Sequence, residues 1–226
     1  MQRLLPDPRP SYSLRAAALT KVFGDTIALW NVDLDGRSGE LVAVHGTNGS
    51  GKTTLLRIVS GLVAPTQGHV GWTTDRPGAR PRIGLLGHAN HLFDDLTAIE
   101  NVSLAAKLAR RDEALALDLL GRLGVGPSGA RRAGELSAGT RRRVGLARVL
   151  ATDPDVLLVD EPFAGLDRPA ADLVGQTLAE SQREGRLVVI ATHDDLRSRL
   201  LATSQLWLNG GRMLHAPGLA AEAIAT

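Results

Sequence analysis

The residues best suited to chemistry fall in one stretch, Gly46-Thr47-Asn48-Gly49-Ser50-Gly51-Lys52-Thr53, with Thr54 following and the apolar run Leu41 to Val44 just before. This is the spacing of a phosphate-binding loop set between a strand and a helix. Glycines at 46, 49 and 51 let the backbone curl so that successive N–H groups face inward and cradle a β-phosphate, with the helix N-terminus behind them. Lys52 adds a compact positive charge for the β- and γ-phosphates. The Thr53 hydroxyl suits Mg²⁺, which bridges the same two phosphates.

Two further segments supply groups for chemistry at a phosphate. Val156-Leu157-Leu158-Val159 is a continuous apolar run that ends in Asp160-Glu161-Pro162, the pattern of a buried parallel strand with carboxylates at its C-terminal edge. Open α/β sheets bind their ligands at that edge. Asp160 is placed to hold Mg²⁺, directly or through water, and Glu161 to polarise an attacking water as a base. The apolar run Leu187 to Ala191 delivers Thr192-His193-Asp194 to the same edge, where a neutral His193 can contact a γ-phosphate or orient the water. Phe23 stands in a turn ahead of the phosphate loop. An exposed ring there is expected to stack on adenine, the alternative being simple packing at a strand end.

The elements that must hold these groups follow from periodicity and punctuation. Segments 13–19, 27–34, 67–72 and 82–86 read as strands, and the helix after the loop runs from Thr53 to about Leu62, where Pro65 forbids its continuation. From about 91 to 150 alanine, leucine and arginine recur at helical spacing, as in Leu104, Leu108, Leu115 and Leu119, which predicts a helical lobe inserted into an α/β core. Arg110, Arg111, Arg131, Arg132 and Arg141 to Arg143 make that lobe basic, either as a solvated helix face or as a contact for an acidic or membrane-side surface. Residues 1 to about 12, with three prolines, read as a mobile arm, and Leu206 to Thr226 as a strand and a short helix that close the domain.

Composition narrows the classes. A chain of 226 residues with 43% hydrophobic content can build one large α/β domain but not two of this kind. A net charge of +2 from 26 basic and 24 acidic residues argues against a nucleic-acid partner. Cysteine is absent, which excludes disulfide and thiol chemistry and suits a reducing compartment. The chain offers neither the run of roughly 18 apolar residues that a membrane span needs nor the apolar core of a signal peptide, so a cytoplasmic location is expected.

The order of Gly46 to Thr53, Leu136-Ser137-Ala138-Gly139-Thr140, Val156 to Glu161, Ala164-Gly165-Leu166-Asp167 and His193 resembles the ATP-binding subunit of an ABC transporter, over about residues 13 to 210. The resemblance implies a P-loop NTPase fold with a RecA-like α/β core, an antiparallel β subdomain and an inserted helical subdomain at about 91–150, followed by a C-terminal extension over 211–226. It implies ATP and Mg²⁺ as ligands, and a head-to-tail dimer with each ATP between one phosphate loop and the Leu136 to Thr140 signature of the second subunit. Ser137, Ala138 and Gly139 would then meet a γ-phosphate at a helix N-terminus, and Asp167 would carry the loop that links the two composite sites. Integral membrane subunits would hold the pair at the cytoplasmic face of the membrane, through a groove near residues 83 to 101 with apolar Ile83, Leu85, Leu92 and Phe93.

Two positions depart from the family pattern. Thr140 replaces a glutamine at the edge of the signature, and His88 stands where most members carry the glutamine that senses Mg²⁺ and the membrane subunit. Gly87-His88, Leu96-Thr97-Ala98-Ile99-Glu100-Asn101, Arg142-Arg143-Val144 and Glu161-Pro162-Phe163 together are similar to one branch, the ATP-binding subunits of the haem exporter used in cytochrome c maturation. A drug or lipid exporter would share every catalytic residue. A soluble ABC protein acting on DNA or ribosomes would be expected to add a second nucleotide domain, a coiled coil or a basic linker.

Overall fold

Five strands of the central sheet run parallel, and the three at its centre are apolar on both faces. The computed structural model describes residues 9–214. In it β3 (Leu41–His45), β6 (Val156–Asp160) and β7 (Leu187–Thr192) are buried along their whole length. Alternate residues of β6 serve two separate cores: Leu157 and Val159 point into one, Val156 and Leu158 into the other. Truncating such a side chain, for instance Leu157→Ala, costs about 2–5 kcal/mol. With β5 (Ile83–Leu86), β8 (Ser204–Asn209) and β9 (Arg212–Leu214) the sheet has the order β5-β6-β7-β3-β8-β9, and only β9 is antiparallel to its neighbour.

On one face lie α1 (Lys52–Val59) and an antiparallel three-stranded sheet of order β2-β1-β4, built from β1 (Tyr12–Phe23), β2 (Thr26–Arg37) and β4 (Gln67–Thr74). The first two strands extend beyond the expected 13–19 and 27–34, because register shifts at Ala18 and near Asn31, both with positive φ, carry the pairing past the points where alternation breaks. Helix α1 is shorter than expected. Gly61 takes a φ of +79° just after the Ser60 C-cap, ending the helix before Pro65 is reached.

The other face is covered by the inserted helices and by α5 (Arg168–Arg183) and α6 (Asp195–Leu201). The insertion, α2 (Ala98–Leu108), α3 (Leu115–Arg122) and α4 (Ala138–Leu150), lies between β5 and β6, which pair directly. The expected leucine stripe divides: Leu119 is buried, but Leu108 and Leu115 are 77% and 40% exposed. Small residues define the packed face of α2 instead, Ala98, Val102 and Ala106 at a four-residue spacing, and they let it approach α4 closely.

At the opposite edge of the sheet from the phosphate loop, Arg9, Arg111 and Arg186 pair with Asp153, while Arg82 grips Asp155 at 2.8 Å. Arg9 belongs to the segment expected to be a free arm, and Tyr12 is already a buried residue of β1. The short helix expected near the C-terminus falls outside the described residues. Among the described residues no helix is long and apolar enough to cross a membrane.

Candidate functional site

The phosphate loop closes against its own chain. Gly46 has a φ of +150°, and a Cβ there would lie 2.3 Å from Leu208 O. At Gly51, φ is +102° and a Cβ would lie 2.6 Å from Ala28 O, so both positions demand glycine. Gly51 is also the N-cap of α1, with no side-chain cap and no acidic residue in the first turn. The first N–H groups of the helix are thus left to an anion. Helices α2, α4, α5 and α6 differ, each capped by its own side chain from Thr97, Ser137, Asp167 or Asp194.

Around this end lies a cavity of about 460 Å³, lined by Thr26 to Ala28, residues 48–54, His88, Asp160, Glu161, Ala164 and His193. Lys52 is buried, and its ammonium donates to Gly46 O at 2.6 Å and Thr47 O at 3.2 Å. Thr53 Oγ1 donates to Asp160 Oδ2 at 2.6 Å. A hydroxyl and a carboxylate side by side form the hard-oxygen donor pair that Mg²⁺ prefers when phosphates complete its shell. The buried Ser50 Oγ has no hydrogen-bond partner among the described residues, which leaves a polar group in the loop available to a ligand.

Glu161 sits between two cationic or proton-bearing groups. Its Oε1 is 3.5 Å from Lys52 Nζ and its Oε2 is 2.8 Å from His193 Nδ1. An ionised carboxylate only accepts, so this distance assigns a proton to Nδ1. The backbone of Glu161 has a φ of +51°, a left-handed conformation that costs a non-glycine residue roughly 1–3 kcal/mol. Its N–H donates to Ala191 O at 2.7 Å, which helps to hold it there. Side chains at the ends of β6 and β7 therefore converge on the helix N-terminus that the loop after β3 delivers.

A family model of the ABC transporter matches residues 29–164. The chain belongs to the ABC transporter family. The cytochrome c biogenesis ATP-binding export protein CcmA of Pseudomonas savastanoi pv. phaseolicola is 40% identical over 204 residues, covering 86% of this chain and 93% of that protein. The lipoprotein-releasing system ATP-binding protein LolD of Psychrobacter arcticus is 35% identical over 220 residues, covering 88% and 96%. A solved dimeric, post-hydrolysis structure of the ATP-binding cassette MJ0796 bound to ADP and Pi matches with a TM-score of 0.79 at 30% identity, over 89% of this chain and 97% of that one. The fold is accordingly that of an ABC ATPase cassette.

Within this ABC cassette the expected residues divide into two groups. Asn48 to Thr54, His88, Asp160, Glu161 and His193 line one cavity, while Gly46 and Thr47 border a neighbouring one beneath Trp207. Ser137, Ala138, Gly139 and Asp167 line neither. Ser137 and Ala138 are exposed, Ser137 Oγ accepts from Thr140 N at 3.2 Å, and Asp167 caps α5 through Ala170 N at 2.9 Å. Phe23 is 49% exposed beneath the Lys21 ammonium, 4.8 Å from the ring centroid, so it is not packed away at the strand end. Of the apolar residues expected to form a groove, Ile83, Leu85 and Phe93 line a cavity of about 470 Å³, whereas Leu92 packs against the core.

Arg142 is a residue that the run of arginines concealed. A solvated face does not describe 141–143: Arg141 reaches Ala133 O and Asp94, Arg143 reaches Leu123 O and Gly124 O, and Arg142 is 6% exposed. Its guanidinium donates to Gly87 O at 2.6 Å and to Asp160 O, with Asn90 Oδ1 at 3.2 Å and Glu161 O at 3.3 Å. Burial pulls its pKa below the ordinary arginine value, while the charges of Asp160 and Glu161 pull the other way. The signal in the sequence was helical phase, because Leu146 and Val149 stand four and seven residues on and share its buried face.

Proposed function

We propose that this chain is the ATP-hydrolysing subunit of an ABC exporter and that it drives the haem-handling step of cytochrome c maturation. The observation that carries the hydrolytic reading is the convergence of Lys52, Thr53, Asp160, Glu161 and His193 on the uncapped end of α1. The loop N–H groups and Lys52 bind the β- and γ-phosphates, and Thr53 with Asp160 holds Mg²⁺. The bound ion neutralises charge on the phosphates. Glu161 accepts the proton of the attacking water, and His193 orients that carboxylate through Nδ1. Phe23, exposed on the strand that leads to the Thr26–Ala28 wall of the cavity, offers a face for adenine. His88 reaches the cavity as the sensor of the γ-phosphate and of the membrane subunit.

Support for the haem branch comes from the similarity to CcmA over most of both chains and from Gly87-His88 and Leu136 to Gly139. The similarity to LolD favours a second reading, export of a lipid-like cargo, because the catalytic residues do not distinguish cargo. In either case a second copy supplies Ser137 to Gly139 to the nucleotide, as the dimeric MJ0796 cassette suggests, and membrane subunits dock on the apolar groove of Ile83, Leu85, Phe93 and Leu104 at the cytoplasmic face of the membrane. Deleting the gene should abolish covalent haem in c-type cytochromes while sparing b-type haem. Normal haem staining of c-type cytochromes would point to the second reading. Recovery of the chain from its own host without any integral membrane partner would remove the transport role altogether.

A further inference from the structure

Arg142 connects three segments that the reaction uses. From the second turn of α4, whose N-cap is Ser137, its guanidinium reaches the loop after β5 through Gly87 O and Asn90 Oδ1, and the end of β6 through Asp160 O and Glu161 O. Among the described residues these hydrogen bonds go only to main-chain carbonyls and one side-chain amide, so the buried cation has no direct carboxylate partner. Both terminal nitrogens are used in this way, while the buried Nε has no hydrogen-bond partner among the described residues, so the terminal contacts alone offset the cost of burying the charge. Two of the carbonyls belong to the metal-binding and base residues, and Glu161 is also the residue in the left-handed conformation. The planar fork of an arginine can span both carbonyls and the facing loop at once, whereas a lysine is a point donor.

We propose that Arg142 is a positioning residue for ATP hydrolysis, holding the backbone of Asp160, Glu161 and the Gly87–Asn90 loop in register with the helix that carries Ser137. The inference rests on the hydrolytic reading of the site. It makes seating of the Ser137 end of α4 and alignment of Glu161 parts of one rigid unit. Arg142 touches no substrate atom. Its loss misaligns the base and leaves the phosphate loop intact, because Lys52 and the loop N–H groups make no contact with it.

The test measures steady-state Mg²⁺-ATP hydrolysis and nucleotide affinity for the full-length wild type, Arg142→Lys and Arg142→Ala. We expect kcat to fall about 10-fold in Arg142→Lys and about 100-fold in Arg142→Ala, with KM and nucleotide Kd within about threefold of wild type. Adding millimolar methylguanidinium to Arg142→Ala should recover several-fold of the lost kcat, which a purely structural role does not allow. Should Arg142→Ala fail to fold, Arg142→Lys still decides the question through its split between kcat and KM. Wild-type kcat in Arg142→Lys, or a loss confined to KM, overturns the inference alone. A wild-type chain with no ATPase activity at all, under conditions in which it binds nucleotide, overturns the hydrolytic reading and the inference together.

Discussion

Helices α1 and α4 both begin among small residues beside a glycine, yet their first turns are finished differently. At α1 the N-cap is Gly51, no side chain caps it, and Lys52, Asp160 and Glu161 of the same chain surround it. At α4 the cap is Ser137, which is exposed and bonds its own Thr140, and no acidic residue lies in the first turn. The first end has its chemistry gathered around it. The second presents a positive helix end outward with nothing of its own chain to receive it, which is the arrangement expected of a half-site that another molecule completes.

The largest expected effect breaks the α1 side. Glu161→Gln removes the proposed base and should lower turnover about 10²–10⁴-fold while nucleotide still binds, and the protein should accumulate as an ATP-bound dimer. Lys52→Ala should lose nucleotide affinity and stay monomeric. Size-exclusion chromatography in Mg²⁺ and ATP separates the two, and near-normal turnover in Glu161→Gln shifts the base to His193.

The next prediction sharpens the α4 side. Asp caps a helix about as well as Ser, so Ser137→Asp should keep the melting temperature within about 2 °C. In the Glu161→Gln background it should nevertheless abolish the ATP-bound dimer, because a carboxylate then opposes the γ-phosphate. Ser137→Ala, with the cap lost, should cost about 1 kcal/mol of stability. A dimer that forms undiminished with Ser137→Asp would take the helix end out of the nucleotide site.

The smallest effect belongs to a third helix end, which serves as a control. Glu100 completes the capping box of α2 opposite the N-cap Thr97, and its carboxyl is held below the usual glutamate range by hydrogen bonds from the Thr97 N–H and hydroxyl. A depressed value in the folded state means stability that is complete above the ordinary glutamate range and is lost as pH falls through the depressed value. A small gap in melting temperature between wild type and Glu100→Gln at pH 7 should therefore close on acidification. A gap independent of pH would assign the effect to shape instead of charge.

The two helix ends were unequally legible in the sequence. The loop from Gly46 to Thr53 and the run into Asp160-Glu161 carry fixed spacings, and the fold places them as those spacings demand. Ser137 to Gly139 drew meaning only from resemblance, since a small-residue turn before a helix is common. Helix α5 was missed because its buried face is mostly small, Ala170, Ala171 and Gly175 with Val174 and Leu178, and gives a weak apolar period. Arg142 is hidden in the sequence because a run of three arginines looks solvated, and only its helical phase with Leu146 and Val149 sets it apart. Leu108 and Leu115 matched a helical period but lie outside the contact with α4, which side-chain size decides and spacing alone does not show.

The strand order has a bearing on how this chain comes to be folded. Residues 41–45, which feed the phosphate loop, pair on one side with residues 187–192 and on the other with residues 204–207. Such distant partners make the central sheet slow to close. During synthesis the loop emerges long before either neighbour of its strand exists, so α1 and the inserted helices must wait beside an unpaired apolar edge. A nascent chain in that condition is open to aggregation and to chaperones. The nucleotide site is assembled only when nearly the last strand has left the ribosome.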